Sequence, residues 1–98
     1  KELSYGDITL NTDTLELSSK SSVRLSNKEC LLLQTLILNK EHTVNDSFII
    51  EHVWSDDESA DTETVWLYLS FIKSKLTYIN SRVEIGGEKG TDYRVNFQ

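Results

Sequence analysis

Apolar residues recur at helical spacing between residues 61 and 76, in the longest stretch of this kind in the chain. Intervals of four, three and four residues place them on one face of a helix. This stripe consists of Val65, Leu69, Ile72 and Leu76. Asp61 or Thr62 can cap the first turn, and two lysines stand near the end, as the helix dipole favours. The pattern predicts a helix over Thr62–Leu76.

The opposite face of this helix lacks the dense charge of an ordinary solvent-exposed surface. It holds Glu63, Leu67, Ser70, Phe71 and Ser74, with Trp66 and Lys73 on one flank. Leu67 and Phe71 are large apolar groups four residues apart, and such groups on an outer face indicate a contact surface. The alternative is that the C-terminal strands of the chain itself cover Leu67 and Phe71.

Four short β-rich runs, some of them with clear alternation of apolar and polar residues, lie near the start of the chain. They are Leu3–Tyr5, Ile8–Leu10, Thr14–Leu17 and Val23–Leu25. Because the turns between them are short, the runs predict an antiparallel four-stranded meander. The abundance of Ser, Thr and Asn leaves a disordered leader as the alternative.

Two shorter helical patterns precede the long one. The first opens with a capping box between Ser26 and Glu29 and continues through a leucine-rich segment. A short extended piece at Thr43–Val44 follows. Asn45 then caps a second helix over Asp46–Trp54. Together with the long helix, these patterns predict a trihelical unit.

The last strands predict a hairpin, from Arg82–Ile85 and Asp92–Phe97. The connecting segment Gly86–Thr91 contains glycines that permit positive φ. It lacks the following helix and the Lys-Ser/Thr pair of a phosphate-binding loop. The predicted fold class is therefore α+β, with an N-terminal four-stranded antiparallel sheet, a three-helix core and a C-terminal β-hairpin.

Length and composition favour one domain of 98 residues with a single core. Cys30 is the only cysteine, which excludes an internal disulfide, and its apolar neighbours predict a small buried side chain. The sequence shows no membrane span and no signal peptide, and a reducing cytosol fits. The absence of methionine and the opening Lys-Glu-Leu suggest a piece of a longer protein.

The net charge of −6 is unevenly distributed. Residues 73–98 carry five basic and three acidic side chains, a net +2, which leaves −8 for residues 1–72. Local positive charge is what phosphate requires. His42 and His52 have no partners at metal-ligand spacing, and the acidic loop Ser55–Ala60 lacks the pattern of a calcium site. No nucleophile and base are placed for catalysis, so we expect neither an enzyme nor a cofactor.

The order of these elements, and the residues within them, resemble the effector domain of OmpR/PhoB-type response regulators, a winged helix-turn-helix. The resemblance covers almost the whole chain. The matching segments are Leu25–Glu29 with the helix after it, Ile49–Trp54, Thr64–Leu76, and Ile85 with Lys89-Gly90 and Tyr93-Arg94-Val95. Each segment is a weak signal alone, but four in the right order at the right separations are specific.

The resemblance implies a bacterial, cytoplasmic transcription regulator of a two-component system that binds double-stranded DNA. Thr62–Leu76 would be the recognition helix in the major groove, and Gly86–Thr91 would be the wing, on the adjacent minor groove or backbone. Ser55–Asp61 would match a loop that can contact RNA polymerase. A receiver domain, expected upstream, would pair two effector domains on tandem half-sites. No membrane and no cofactor are implied.

Candidate DNA-binding residues follow from the resemblance and the outer helix face. They are Glu63, Thr64, Trp66, Leu67, Tyr68, Ser70, Phe71, Lys73, Ser74, Lys89 and Arg94. The family often has arginine where Glu63 stands, and basic residues where Ser70, Phe71 and Ser74 stand. A carboxylate can accept a hydrogen bond from cytosine N4, and Leu67 or Trp66 can pack on thymine methyl groups.

The short supply of basic side chains predicts weak DNA binding by a single copy, because affinity depends on the number of phosphates neutralised. Dimerisation through the receiver domain would raise the affinity for DNA by effective concentration. The alternative function is a winged-helix domain used mainly for protein–protein interaction, through Trp66, Leu67 and Phe71.

Overall fold

Two antiparallel sheets flank three helices along the chain, in a computed structural model that describes residues 1–98. The N-terminal sheet has the order β1-β2-β3-β4. Its strands are β1 (Glu2–Tyr5), β2 (Ile8–Asn11), β3 (Glu16–Ser18) and β4 (Ser22–Arg24). Each strand pairs with the next one in sequence. The predicted meander is therefore confirmed, and the alternative of a disordered leader is wrong.

The three helices begin at the predicted caps. They are α1 (Asn27–Leu38), α2 (Asp46–Val53) and α3 (Thr62–Tyr78). In the capping box of α1, the amide of Glu29 donates to Ser26 Oγ (3.2 Å) and the amide of Ser26 donates to Glu29 Oε1 (2.7 Å). Asn45 caps α2, and Asp61, rather than Thr62, caps α3.

The core forms where the helices meet both sheets, in one cluster of 22 buried residues. The whole predicted stripe of α3 is buried, at Val65, Leu69, Ile72 and Leu76. Helix α2 buries Ile49 and Val53, whereas Phe48 stays partly exposed. Cys30 is 3% exposed, as predicted for a small apolar side chain. The inward face of α3 thus packs against α1, α2 and β6.

The second sheet has three strands, not the two of a simple hairpin. It consists of β5 (Val44–Asn45), β6 (Val83–Gly86) and β7 (Asp92–Phe97), in the order β5-β7-β6. Val44, from the connection between α1 and α2, is opposite Tyr93 of β7. The sequence predicted an extended piece here but not its partner. This pairing attaches the β6–β7 hairpin to the start of α2. Below, "wing" means this whole hairpin, including its connecting segment Gly86–Thr91.

The base of the wing also contacts the N-terminal sheet. The Tyr5 hydroxyl donates to the carbonyl of Val95 (3.2 Å). Asp7 accepts from the Ser81 hydroxyl (2.6 Å) and from the amide of Arg82 (2.9 Å), at the end of the connection from α3. These bonds join the base of the wing to the N-terminal sheet, so its position is determined at several points.

Candidate nucleic-acid interface

The outer face of α3 is open to solvent. Leu67 is 50% exposed and Phe71 is 41% exposed. Glu63 and Ser74 on the same face are also exposed. The alternative that the C-terminal strands cover Leu67 and Phe71 is therefore wrong. Tyr78, which is 68% exposed, lies on the same side of the helix and was not a sequence candidate.

Some candidate hydroxyl groups already have partners within the helix. The Thr64 hydroxyl and amide both bond Asp61 in the capping box. Ser70 Oγ donates to the carbonyl of Trp66 (2.9 Å). Tyr68 is partly buried, with its ring edge-on to Trp54 at 5.1 Å between centroids. Contact with another molecule by Thr64 or Ser70 would have to compete with these bonds.

Trp66 and Lys73 form one unit on the flank of α3 that faces the wing. The ammonium nitrogen of Lys73 lies 4.4 Å from the centroid of the Trp66 ring, a cation–π contact. The same indole lies 6.4 Å from the Tyr93 ring of β7. Trp66 therefore links α3 to the wing and is only partly exposed, while the ammonium group of Lys73 lies beside the open face.

The wing brings its lysine to the start of α3. Lys89 forms an ion pair with Glu63, and the two side chains are 43% and 71% exposed. Because the pair lies at the surface, it contributes little to stability, but it compensates the charge of both groups. Arg94 instead donates through Nε to the carbonyl of Lys40 (3.1 Å), in the segment after α1.

Asp46, at the first position of α2, joins α3 to the wing. Its Oδ1 accepts from the Tyr93 hydroxyl (2.8 Å) and its Oδ2 accepts from the Thr62 hydroxyl (2.9 Å). The amide of Gly90, in the wing loop, donates to the oxygen of Tyr93 (3.0 Å). Burial and the hydrogen bond to Asp46 raise the pKa of Tyr93 to about 12, so the phenol stays neutral. The sequence candidates did not include this group.

Lys75 is not available to a ligand on the outer face, although it counted toward the basic supply of the C-terminal quarter. Its Nζ pairs with Glu29 Oε1 (2.7 Å) and donates to the carbonyl of Arg24 (3.1 Å). Burial alone would raise the pKa of Glu29, but bonds from Lys75 and from the amide of Ser26 outweigh it and hold the pKa below its ordinary value. This lysine serves the packing of α1 against α3.

No cluster of three or more His, Cys, Asp or Glu side chains has the geometry to hold a metal ion. None of the helices has both the length and the apolar character needed to cross a membrane.

Residues 20–95 match the protein-family model described as "Transcriptional regulatory protein, C terminal". The chain is 37% identical over 93 residues to the transcriptional regulatory protein DltR of Streptococcus agalactiae, a match that covers 94% of the chain and 42% of DltR. It is 35% identical over 96 residues to the heme response regulator HssR of Staphylococcus saprophyticus, covering 97% of the chain and 43% of HssR. The chain thus spans less than half the length of these curated relatives.

Solved structures agree with the sequence relatives. The C-terminal domain of the nisin resistance regulator NsrR, a lantibiotic response regulator, superposes with a TM-score of 0.79 at 26% identity, over 97% of this chain and 96% of that one. The DNA-binding domain of the response regulator AdeR, solved in complex with an intercistronic region, superposes with a TM-score of 0.81 at 18% identity. The match covers 98% of this chain and 100% of that one, and it supports the fold. The family consists of transcriptional regulators and not of enzymes. The chain belongs to this family, as a C-terminal effector domain of the OmpR/PhoB response-regulator type with the winged helix-turn-helix fold.

Proposed function

We propose that this chain is the sequence-specific, double-stranded DNA-binding effector domain of a bacterial, cytoplasmic two-component response regulator. The observation that carries the proposal is the orientation of α3, which buries its apolar stripe and leaves the opposite face open beside the wing. An α-helix fits the major groove, and helix-turn-helix proteins place their recognition helix there. The AdeR domain, which has the same fold, was solved with DNA.

The charges beside α3 support phosphate contacts from Lys73 and Lys89. Lys73 lies on the flank of the open face, and Lys89 lies in the wing. Two such contacts give little counterion release, so a single copy binds weakly. A receiver domain in the remaining length of the protein would pair two effector domains on tandem half-sites and raise the affinity by effective concentration. Curated relatives of more than twice this length are consistent with such a domain.

The loop between α2 and α3 is the proposed contact for RNA polymerase. Residues 55–59 are exposed. Asp56 forms an ion pair with Lys28 of α1 (3.1 Å), and Asp57 accepts from the amide (2.9 Å) and hydroxyl (2.6 Å) of Ser59. These bonds shape an acidic loop that suits a basic surface on a protein partner.

The test measures binding of the 98-residue chain to a fluorescent duplex pool with about 20 randomised base pairs, roughly two helical turns of DNA. We expect Lys73→Ala to weaken binding and to lower the slope of log affinity against log salt by about 0.9. Lys89→Ala should change both in the same direction but by less, because Glu63 competes with phosphate for Lys89 in the wild type. Lys20→Ala is the matched control, because it removes the same charge from an exposed turn in the N-terminal sheet. Absence of salt-sensitive binding to any duplex would overturn the proposal.

The exposure of Leu67 and Phe71 also favours a second candidate, a protein-interaction domain. Of the three residues of that hypothesis, Trp66 is partly buried between Lys73 and Tyr93, so the available surface is Leu67 and Phe71. A protein partner whose binding needs Leu67, and which selected DNA does not displace, would support this candidate over DNA binding.

A further inference from the structure

We propose that the open face of α3 reads thymine through its 5-methyl group, with Leu67 and Phe71 as the specificity-determining residues. The favoured half-sites would then carry two thymines at nearby positions. This inference rests on the proposed DNA-binding function and adds the chemistry of the bases that are recognised.

The first argument concerns the side chains that α3 lacks. Side chains that make paired hydrogen bonds to guanine or adenine are arginine, asparagine and glutamine, and Thr62–Tyr78 contains none of them. Lys73 can bond guanine, but it lies on the flank, over the Trp66 ring. This helix therefore has few side chains that can recognise purines by hydrogen bonds.

The second argument concerns the polar groups that are present. Glu63 is paired with Lys89, and the hydroxyl of Ser70 is bonded to the carbonyl of Trp66. The exposed side chains that remain on this face are Leu67, Phe71, Ser74 and, at the C-terminal end of the helix, Tyr78. The two in the middle of the helix, Leu67 and Phe71, are purely apolar. The apolar feature of the major groove is the thymine methyl group.

The third argument is that Phe71 is held in place before binding. The Phe71 ring lies edge-on to Tyr68 at 5.3 Å between centroids, and Tyr68 lies edge-on to the buried Trp54. A side chain held in place loses less conformational entropy when a partner covers it. Leu67 and Phe71 are one turn apart, about 6 Å along the helix axis, so they can reach methyl groups of different base pairs.

The lysines beside this face favour DNA as its partner. Lys73 and Lys89 flank the apolar pair, and a thymine-containing duplex offers methyl groups and phosphates at once.

The experiment exchanges thymine for uracil, which removes the methyl group and leaves the protein unchanged. Duplexes enriched from the randomised pool by the wild-type chain are synthesised with deoxyuridine at each thymine in turn. We expect about a fourfold loss of affinity per contacted methyl group, the effect of removing one buried carbon. Deoxyuridine at flanking positions is the internal control.

The matched protein variant is Leu67→Ala, which should bind thymine and uracil duplexes equally at one of the two positions. Equal binding of thymine and uracil duplexes by the wild type, with salt-sensitive binding retained, would overturn this inference and leave DNA binding intact. Absence of binding to every duplex would instead reject the proposed function itself. Displacement of the enriched duplex by self-association of the chain would assign the face to a second copy.

Discussion

The ion pair between Glu63 and Lys89 should limit the affinity for DNA. Both groups are largely exposed, so the pair adds only about 0–1 kcal/mol to stability. In a DNA complex, however, the carboxylate competes with phosphate for Lys89 and also repels the duplex. Replacing Glu63 with alanine should therefore leave folding nearly unchanged and strengthen binding.

The size of the effect follows from counterion release. The largest effect arises if Glu63 keeps Lys89 from phosphate almost completely in the wild type, and the slope of log affinity against log salt then becomes steeper by about 0.9 in the Glu63→Ala variant. A fourfold change in salt, for example from about 50 to 200 mM, would then reduce the affinity of the variant about 3.5-fold more than that of the wild type. Fluorescence anisotropy titrations at three salt concentrations measure this difference.

Glu16→Ala is the control, because Glu16 is an exposed residue of β3 and its loss changes the net charge equally. Equal slopes for the wild type and Glu63→Ala would show that Lys89 gains no phosphate. Weaker binding by Glu63→Ala, restricted to duplexes with one particular cytosine, would show instead that Glu63 accepts from cytosine N4. Either result would refute the competition described above.

Three further predictions test the packing and the hydrogen bonds that hold α3 and the wing in position. Leu69→Ala, at a fully buried position of α3, should lower the free energy of unfolding by about 2–5 kcal/mol in chemical denaturation. Leu67→Ala, two residues away and half exposed, should change it by no more than about 0.5 kcal/mol. Tyr93→Phe should lower the free energy of unfolding by about 0.5–1.5 kcal/mol. Because the Gly90 amide loses its hydrogen-bond acceptor, the variant should also lower the salt slope of DNA binding, as Lys89→Ala does; an unchanged slope would contradict this. Glu29→Gln should cost about 1–3 kcal/mol at neutral pH. Because the folded-state pKa of Glu29 is lowered, its stabilisation is present above about pH 4.5 and is lost as the pH falls through the folded-state value, so thermal melts of the variant and the wild type should converge in acid.

The helices, their caps and the inward face of α3 could be predicted because each depends on residues within a few positions of one another. The capping box at Ser26 needs only four consecutive residues, and the stripe through Leu69 repeats at each turn. The end of α3 was placed two residues early, at Leu76, since Thr77 and Tyr78 are exposed and add nothing to the apolar pattern. The helix ends at Tyr78, with Ile79 as its C-cap and Asn80 in the left-handed conformation.

The charge arrangement of the interface could not be predicted, because it depends on contacts between distant segments. Asp46 and Tyr93 are 47 residues apart, and Glu29 and Lys75 are 46 apart. No local pattern distinguishes a lysine that pairs with a buried carboxylate from one that faces solvent. Counting basic residues in the sequence therefore overestimated the charge available on the outer face of α3.

The position of β7 has a consequence for biosynthesis. This strand lies in the centre of its sheet, yet both neighbours, β5 and β6, precede it in sequence. A ribosome therefore exposes the two edges before the strand that joins them. Nascent chains halted before Tyr93 leaves the exit tunnel should lack the closed wing and remain sensitive to protease, and should acquire resistance in one step once β7 emerges.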